Sequence, residues 1–226
     1  MNVSITTIAA RTPLPVLIVD TPSEPSVPKP VLLFLHGRGE ASTHPSELPK
    51  VLFHLTPPFR AMTGELRGVT VVAPQAPRDP DDGWSWREYV AEIGAFLERA
   101  YPDRIKLATG FSRGGLGVVQ LMARYPGLIK RWAIVDPQRP ADNDEQKAIA
   151  PRGTKGAECW LRYGNQIRKN TPFSEFLVQS LPEADAKFVD MDHVELAVEA
   201  FGGKPLAGKG DLYSFLGLSF VASVAG

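Results

Sequence analysis

A serine lies between closely spaced glycines in the segment Gly110–Gly115, which reads Gly-Phe-Ser-Arg-Gly-Gly. The segment follows an apolar strand pattern, Ile105–Ala108, and a helical pattern, Ser112–Tyr125, begins within it. A serine on a tight strand-to-helix turn is the arrangement of a nucleophile elbow, in which glycines remove side chains that would collide with nearby backbone. The pattern predicts that Ser112 is a nucleophile. The N–H of Arg113, at the helix N-terminus, is predicted to stabilise an oxyanion.

A second candidate segment, Leu35–Gly39, follows a fully apolar strand pattern and reads Leu-His-Gly-Arg-Gly. Acyl transfer requires two N–H donors directed at the oxygen of the tetrahedral intermediate. We expect the N–H of Arg38 to be the donor that accompanies Arg113. His36 is predicted to form structural hydrogen bonds, because this mechanism requires a single histidine.

The base predicted to activate the serine is His193, which follows the last predicted strand. In proteins whose catalytic serine lies on such a strand-to-helix turn, the histidine comes after the serine and the acid in the chain. The chain has four histidines, and the other three, at positions 36, 44 and 54, precede Ser112. The sequence order therefore favours His193 as the base, and its alternative role is that of an ordinary histidine in a surface loop.

The elements that must position these residues alternate between strands and helices, which is typical of a mostly parallel sheet covered on both faces. We expect one domain over residues 1–226, with a helix or functional loops between residues 39 and 68. The predicted strands are Val3–Ile8, Leu14–Val19, Val31–Leu35, Val69–Val72, Ile105–Ala108, Trp132–Val135, Cys159–Tyr163 and Lys187–Met191. The predicted helices are Trp86–Ala100, Ser112–Tyr125, Phe173–Leu181 and Val194–Phe201.

Composition narrows the choice of partners and compartment. The 226-residue chain carries 25 basic and 25 acidic residues, so no net field attracts it to nucleic acid or to an anionic membrane. One cysteine, Cys159, excludes an intrachain disulfide and is expected to be a buried structural thiol. The sequence has neither a signal-peptide pattern nor an apolar run of about 18 residues, so we expect a cytoplasmic protein.

Taken together, these segments resemble the esterase branch of the α/β-hydrolase superfamily, in particular its dienelactone-hydrolase, carboxylesterase and feruloyl-esterase-like groups. The resemblance extends over about residues 31–201 and rests on residues 35–40, Pro57-Pro58 with Val71–Gln75, residues 110–115 and His193. It implies an α/β-hydrolase fold with a mostly parallel sheet of about eight strands and helices on both faces. It also implies a site without a metal or another cofactor.

The acid of the triad is absent from the position that the resemblance predicts. Relatives carry it after the penultimate strand, where this chain has Ile167 in the stretch Tyr163–Arg168. One alternative is Asp136, which ends an apolar strand, where functional residues of α/β sheets gather; its other interpretation is a turn residue before a proline. A second alternative is that Asn165 or a backbone carbonyl orients the imidazole, and a third is that the protein has no hydrolytic activity. Asp192 is disfavoured because adjacent side chains rarely contact each other.

The resulting hypothesis is a serine esterase that cleaves small or medium acyl or aryl carboxylic esters through an acyl-enzyme. Ser112, His193 and Asp136 form the catalytic set, Arg38 and Arg113 the oxyanion hole, and Trp84 lines the substrate pocket. The expected partner is a small-molecule ester, and the sequence leaves the oligomeric state open. The alternatives are a weakly active or inactive ligand-binding protein on the same scaffold, a thioesterase and a peptidase.

Overall fold

The structure is a computed structural model that describes residues 1–26, 28–78, 85–141, 146, 157–164, 171–181, 183–207 and 210–221. Its centre is a sheet of eight strands in the order β1-β2-β5-β3-β6-β7-β8-β9. β1 and β2 form an antiparallel hairpin, and β2 pairs antiparallel with β5. The remaining strands, β5, β3, β6, β7, β8 and β9, are mutually parallel. The strands are β1 Asn2–Ile8, β2 Leu14–Asp20, β3 Val31–Leu35, β5 Thr70–Pro74, β6 Lys106–Phe111, β7 Arg131–Val135, β8 Glu158–Tyr163 and β9 Asp185–Phe188.

Helices lie in the connections between parallel strands that the structure describes in full, as crossover connections usually require. The α-helices are α1 Pro57–Met62, α2 Val90–Ala100, α3 Arg113–Arg124, α4 Thr171–Ser180, α5 His193–Phe201 and α6 Leu212–Leu216. Two 3₁₀ segments, Pro45–Leu55 and Trp86–Glu88, precede α1 and α2, and a small second sheet pairs β4 Leu66–Arg67 with β10 Ser219–Phe220. No helix within the described part of the chain combines the length and apolarity needed to cross a bilayer.

The central strands are buried on both faces because a hydrophobic layer covers each side of the sheet. All five residues of β3 are buried, and its side chains alternate between the two layers. Leu33 packs in the layer that contains Ile93 of α2, whereas Phe34 packs edge-to-face on Phe201 of α5, with ring centroids 5.6 Å apart. Each fully buried side chain of this size stabilises the fold by about 1.5–3 kcal/mol. The two layers therefore fix the sheet and, with it, the carboxyl ends of its strands.

The predicted fold class and the predicted alternation of strands and helices are confirmed, whereas several predicted boundaries are wrong. The strand predicted to end at Ala108 continues to Phe111, directly before the serine. The last strand was predicted at Lys187–Met191 but is Asp185–Phe188, because the N–H of Met191 bonds to the carbonyl of Val189 and turns the chain out of the sheet. The predicted helix Trp86–Ala100 consists of a 3₁₀ turn and α2, and neither α6 nor β10 was predicted from the sequence.

Candidate active site

Ser112 occupies the turn between β6 and α3, in a backbone conformation that L-residues rarely adopt. Its φ is 55° and its ψ is −117°, and such a strained residue costs about 1–3 kcal/mol. The surrounding hydrogen bonds maintain the conformation. The N–H of Ser112 donates to the carbonyl of Val135 at 3.1 Å, and its carbonyl accepts from Leu116 at 3.2 Å. The serine is thus held at the carboxyl edge of the sheet, at the N-terminus of a helix.

Two glycines make this turn sterically possible. A Cβ on Gly110 would lie 2.4 Å from the backbone of Gly114. A Cβ on Gly114 would lie 1.8 Å from the carbonyl oxygen of Leu35 and 2.7 Å from that of His36. Because carbon and oxygen atoms cannot approach so closely, these positions require glycine as long as the turn packs against the end of β3.

The two predicted oxyanion donors lie on adjacent segments. Arg113 is the first residue of α3, so its N–H has no acceptor within the helix. Arg38 belongs to the segment that follows β3, and β3 pairs in parallel with β6, so that Leu35 is the partner of Gly110. Both arginines line the pocket that contains Ser112. The structure therefore brings the predicted donors and the predicted nucleophile to one pocket.

The structure also brings together Asp136 and His193. Oδ2 of Asp136 lies 2.5 Å from Nδ1 of His193, and the carboxylate is almost fully buried. The backbone of Asp136 is strained, with φ at 40°. It is held by a hydrogen bond from its N–H to the carbonyl of Arg162 at 2.7 Å, and Oδ1 accepts the N–H of Gly164 at 3.2 Å. These bonds direct one carboxylate oxygen to the imidazole.

His193 is the first residue of α5. Its ring packs on that of Phe111, with centroids 4.3 Å apart, and its side chain is 19% exposed. A carboxylate next to Nδ1 keeps the proton on that nitrogen, which leaves Nε2 as the basic atom. The disfavoured acid, Asp192, caps α5 by accepting the N–H groups of Val194 and Glu195 at 2.8 and 2.7 Å.

His36 is fully buried and makes structural hydrogen bonds. Its Nε2 accepts the N–H of Ala76 at 2.9 Å, which places the ring proton on Nδ1, and Nδ1 donates to the carbonyl of Gly37 at 2.6 Å. Burial lowers the pKa of His36 to about 4, and the bond to Gly37 opposes this shift only in part. A neutral imidazole therefore joins the end of β3 to the segment after β5.

The candidate site opens into a pocket of about 680 Å³. Its lining includes Arg38, Glu40, His54, Ser112, Arg113 and His193. The predicted pocket residue Trp84 and the considered residues Asn165 and Ile167 lie outside the described residues. Within the described ranges, no group of three or more histidine, cysteine, aspartate or glutamate side chains is arranged to hold a metal ion. Cys159 is buried in β8, and burial raises the pKa of its thiol.

Sequence reasoning assigned no role to Glu40 and His54, although both line this pocket. Oε1 of Glu40 lies 3.4 Å from Nε2 of His54, and Glu40 is 3% exposed. His54 has a φ of 60°, and the next residue, Leu55, has a φ of 56°. A carboxylate two residues beyond Arg38 was visible in the sequence, but its histidine partner is brought to it only by the fold.

The sequence matches no known sequence family and no curated protein. Its fold, however, matches solved structures. A thermostable esterase superposes with a TM-score of 0.61 at 18% identity over 88% of this chain, which spans 60% of that protein's length. The esterase domain of a Rhodothermus marinus protein gives a TM-score of 0.59 at 18% identity, covering 89% of this chain and 95% of that domain. A ferulic acid esterase gives 0.61 at 15% identity, with 88% and 93% covered.

The sheet order, the serine turn after β6 and these superpositions define the class of the molecule. The chain has the α/β-hydrolase fold. At 18% identity or less, the similarity extends to the fold and leaves the reaction to be argued from the site itself.

Proposed function

We propose that the protein is a serine hydrolase that cleaves small or medium acyl or aryl carboxylic esters. The observation that carries the proposal is the 2.5 Å contact of the buried Asp136 with His193, because His193 lines the same pocket as Ser112. A buried carboxylate fixes the tautomer of the imidazole and stabilises the imidazolium that forms when the serine is deprotonated. In this proposal Asp136 takes the role of the acid that the sequence lacks at position 167.

In the proposed mechanism, Oγ of Ser112 attacks the ester carbonyl while Nε2 of His193 takes the serine proton. The negative charge moves to the carbonyl oxygen, which the N–H groups of Arg38 and Arg113 stabilise. His193 then returns the proton to the departing alcohol, and the carbon–oxygen bond of the ester breaks. A water molecule attacks the acyl-enzyme by the same steps and releases the acid. Asp136 orients the imidazole throughout.

The proposed size of the substrate follows from the site. A cavity of about 680 Å³ is within the range of pockets that accept drug-sized molecules, and the ring of Phe111 contributes an apolar surface. Solved structures with the same fold include esterases, a thioesterase domain and an acylaminoacyl peptidase. Esters are the preferred choice among these because the sequence resemblance is to the esterase branch.

The direct test is turnover of p-nitrophenyl acetate and butyrate by the wild-type protein and by Ser112→Ala. We expect the substitution to remove the activity, and equal rates in the two proteins would refute the assignment of Ser112. A fluorophosphonate probe gives an independent readout, because it labels a serine only when the hydroxyl is activated. We expect labelling of the wild type and none of Ser112→Ala.

The same experiments separate the proposal from its rivals. A ligand-binding protein on this scaffold would leave the probe unreacted and would show a melting temperature that responds to its ligand. A thioesterase or a peptidase would be labelled at Ser112 but would turn over an acyl thioester or a peptide anilide faster than the p-nitrophenyl esters. The contact of Asp136 with His193 argues against the ligand-binding rival, whose motivation was the missing acid.

A further inference from the structure

We propose that Glu40 is a positioning residue for the oxyanion hole, whose buried carboxylate, paired with His54, holds the loop that carries the N–H of Arg38. We call residues 36–40 the oxyanion loop. This inference rests on the proposed function, because it assigns to Glu40 a role in the reaction that Ser112 would perform. It concerns how the loop is kept in place and adds no group that contacts the substrate.

The oxyanion loop needs such an anchor because its own sequence allows many backbone conformations. Gly37 and Gly39 flank Arg38, and glycine backbone populates more conformations than any other residue. Gly39 is exposed, and a Cβ placed on it would meet no atom within 4 Å. An N–H donor stabilises a transition state only when it is fixed before the charge develops. The position of Arg38 must therefore be set by contacts elsewhere in the loop.

Glu40 is placed to provide these contacts. Its Oε2 lies 3.9 Å from Nδ1 of His36 and 3.3 Å from the position that a Cβ on Gly37 would occupy. Glu40 is the last residue of the oxyanion loop, and its carboxylate packs against the first two residues of that loop. The carbonyl of Glu40 accepts a hydrogen bond from Nε2 of Gln75 at 2.8 Å, which ties the end of the loop to the segment after β5.

The carboxylate of Glu40 is buried, and its hydrogen bonding is incomplete. Oε2 has no hydrogen-bond partner of standard geometry among the described residues. Burial raises the pKa of Glu40, while the N–H of Glu40, the imidazole of His54, the N–H of Gly37 and the imidazole of His193 act against that rise. A buried ion pair contributes little net stability to a fold, so stability alone does not explain this carboxylate.

His54 completes the arrangement from a different segment. Its Nε2 lies 3.4 Å from Oε1 of Glu40, and its ring lies edge-on to that of Phe111, with centroids 6.5 Å apart. The left-handed backbone at His54 and Leu55 brings the imidazole to this position, and the hydroxyl of Thr56 closes the segment by donating to the carbonyl of Val51 at 2.6 Å. Strained backbone of this kind is found where a side chain must be presented accurately.

The experiment compares Glu40→Gln, His54→Gln and the double variant with the wild type. His44→Gln is the matched control, because His44 is exposed and belongs to no part of the pocket lining. The first readout is kcat and KM for p-nitrophenyl butyrate. The second is the inhibition constant of an aryl trifluoromethyl ketone, to which Ser112 adds through its oxygen while the serine proton passes to His193, so that the resulting oxyanion occupies the hole.

We expect Glu40→Gln to lower kcat by about 10–100-fold with KM nearly unchanged, and to weaken trifluoromethyl ketone inhibition by a similar factor. The melting temperature should stay the same or rise, whereas a merely structural role predicts a fall. His54→Gln should act in the same direction, and the double variant should be no worse than Glu40→Gln, because the two residues act as one unit. His44→Gln should match the wild type.

The inference is overturned if Glu40→Gln folds and retains wild-type kcat and inhibition, or if the losses in kcat and in melting temperature occur together. If Glu40→Gln does not fold, His54→Gln decides the question, because His54 is only half-buried; kcat and the inhibition constant of the trifluoromethyl ketone are again the readouts. Failure of the proposed function has a different signature, since the wild type would then neither hydrolyse the ester nor react with the fluorophosphonate probe.

Discussion

Oδ2 of Asp136 lies 2.5 Å from Nδ1 of His193, although the two residues are 57 positions apart in the sequence. Asp136 follows β7, and His193 opens α5. Because β7, β8 and β9 are neighbouring parallel strands, their carboxyl ends meet at one edge of the sheet, where the two side chains come into contact. A carboxylate after β7 can therefore reach the histidine that an acid after β8 was expected to orient.

The first prediction concerns this acid. Asp136→Asn should lower kcat by about 10³–10⁴-fold with little change in KM, because the amide favours the wrong imidazole tautomer. Steady-state hydrolysis of p-nitrophenyl butyrate measures both constants, and Asp192→Asn is the control, since Asp192 caps α5. A loss of less than threefold in Asp136→Asn would remove Asp136 from the mechanism.

The second prediction separates the hydroxyl of Ser112 from its backbone strain. Ser112→Ala and Ser112→Gly should both be inactive, but the glycine variant should be more stable by about 1 kcal/mol, because glycine adopts a φ of 55° without strain. Urea unfolding of the two variants measures the difference in the free energy of unfolding. An alanine variant as stable as the glycine variant would show that the turn is unstrained.

The third prediction concerns the packing of the turn on β3. Gly114→Ala should destabilise the protein by about 3 kcal/mol or more, since its Cβ would lie 1.8 Å from the carbonyl oxygen of Leu35. Gly39→Ala is the matched control, because a Cβ there meets nothing within 4 Å, and its unfolding free energy should stay within about 0.5 kcal/mol of the wild type. Thermal or urea unfolding measures the stability of both variants, and equal stabilities would contradict the packing of Gly114 on the end of β3.

The fourth prediction concerns pH and His36. Burial lowers the pKa of His36 from 6.5 to about 4 in the folded state, so in this interval the unfolded chain binds more protons than the folded one. The contribution of His36 to stability is therefore complete above pH 6.5 and is lost as the pH falls towards 4. Between pH 7 and pH 5 the loss should be about 2 kcal/mol.

The measurement is urea unfolding of the wild type and of His36→Gln at both pH values. The difference between the two proteins isolates His36 from the carboxylates, among them Glu40, whose raised pKa acts with the opposite sign. We expect the wild type to lose about 2 kcal/mol more than the variant. A loss that is the same in both would mean that His36 is protonated without cost.

The sequence predicted the local part of this site and left the tertiary part open. Gly110, Gly114 and the apolar strand before Ser112 are signals that act within a few residues, so the elbow and the segment around Arg38 could be located without coordinates. The contact of Asp136 with His193 depends on the order of strands in the sheet, and Asp136 therefore had to be weighed against a turn residue.

Other features had no readable signal in the sequence. The left-handed backbone of His54 and Leu55 occurs within a 3₁₀ segment that contains neither a glycine nor an asparagine, the usual marks of such a conformation. The last strand of the sheet was predicted too far along the chain, because Val189 and Met191 continue an apolar pattern although the backbone turns between them. At His54 the backbone departs from local preference where the ring contacts Glu40 and Phe111, and at Val189 a local hydrogen bond ends the strand despite the apolar pattern.

The close approach of Gly114 to the carbonyl oxygens of Leu35 and His36 has a consequence for how the protein unfolds on heating. The turn that carries Ser112 and the end of β3 cannot separate without losing this packing, so the two should unfold together. Gradual heating should therefore leave the conformation of the serine turn unchanged until the domain as a whole unfolds.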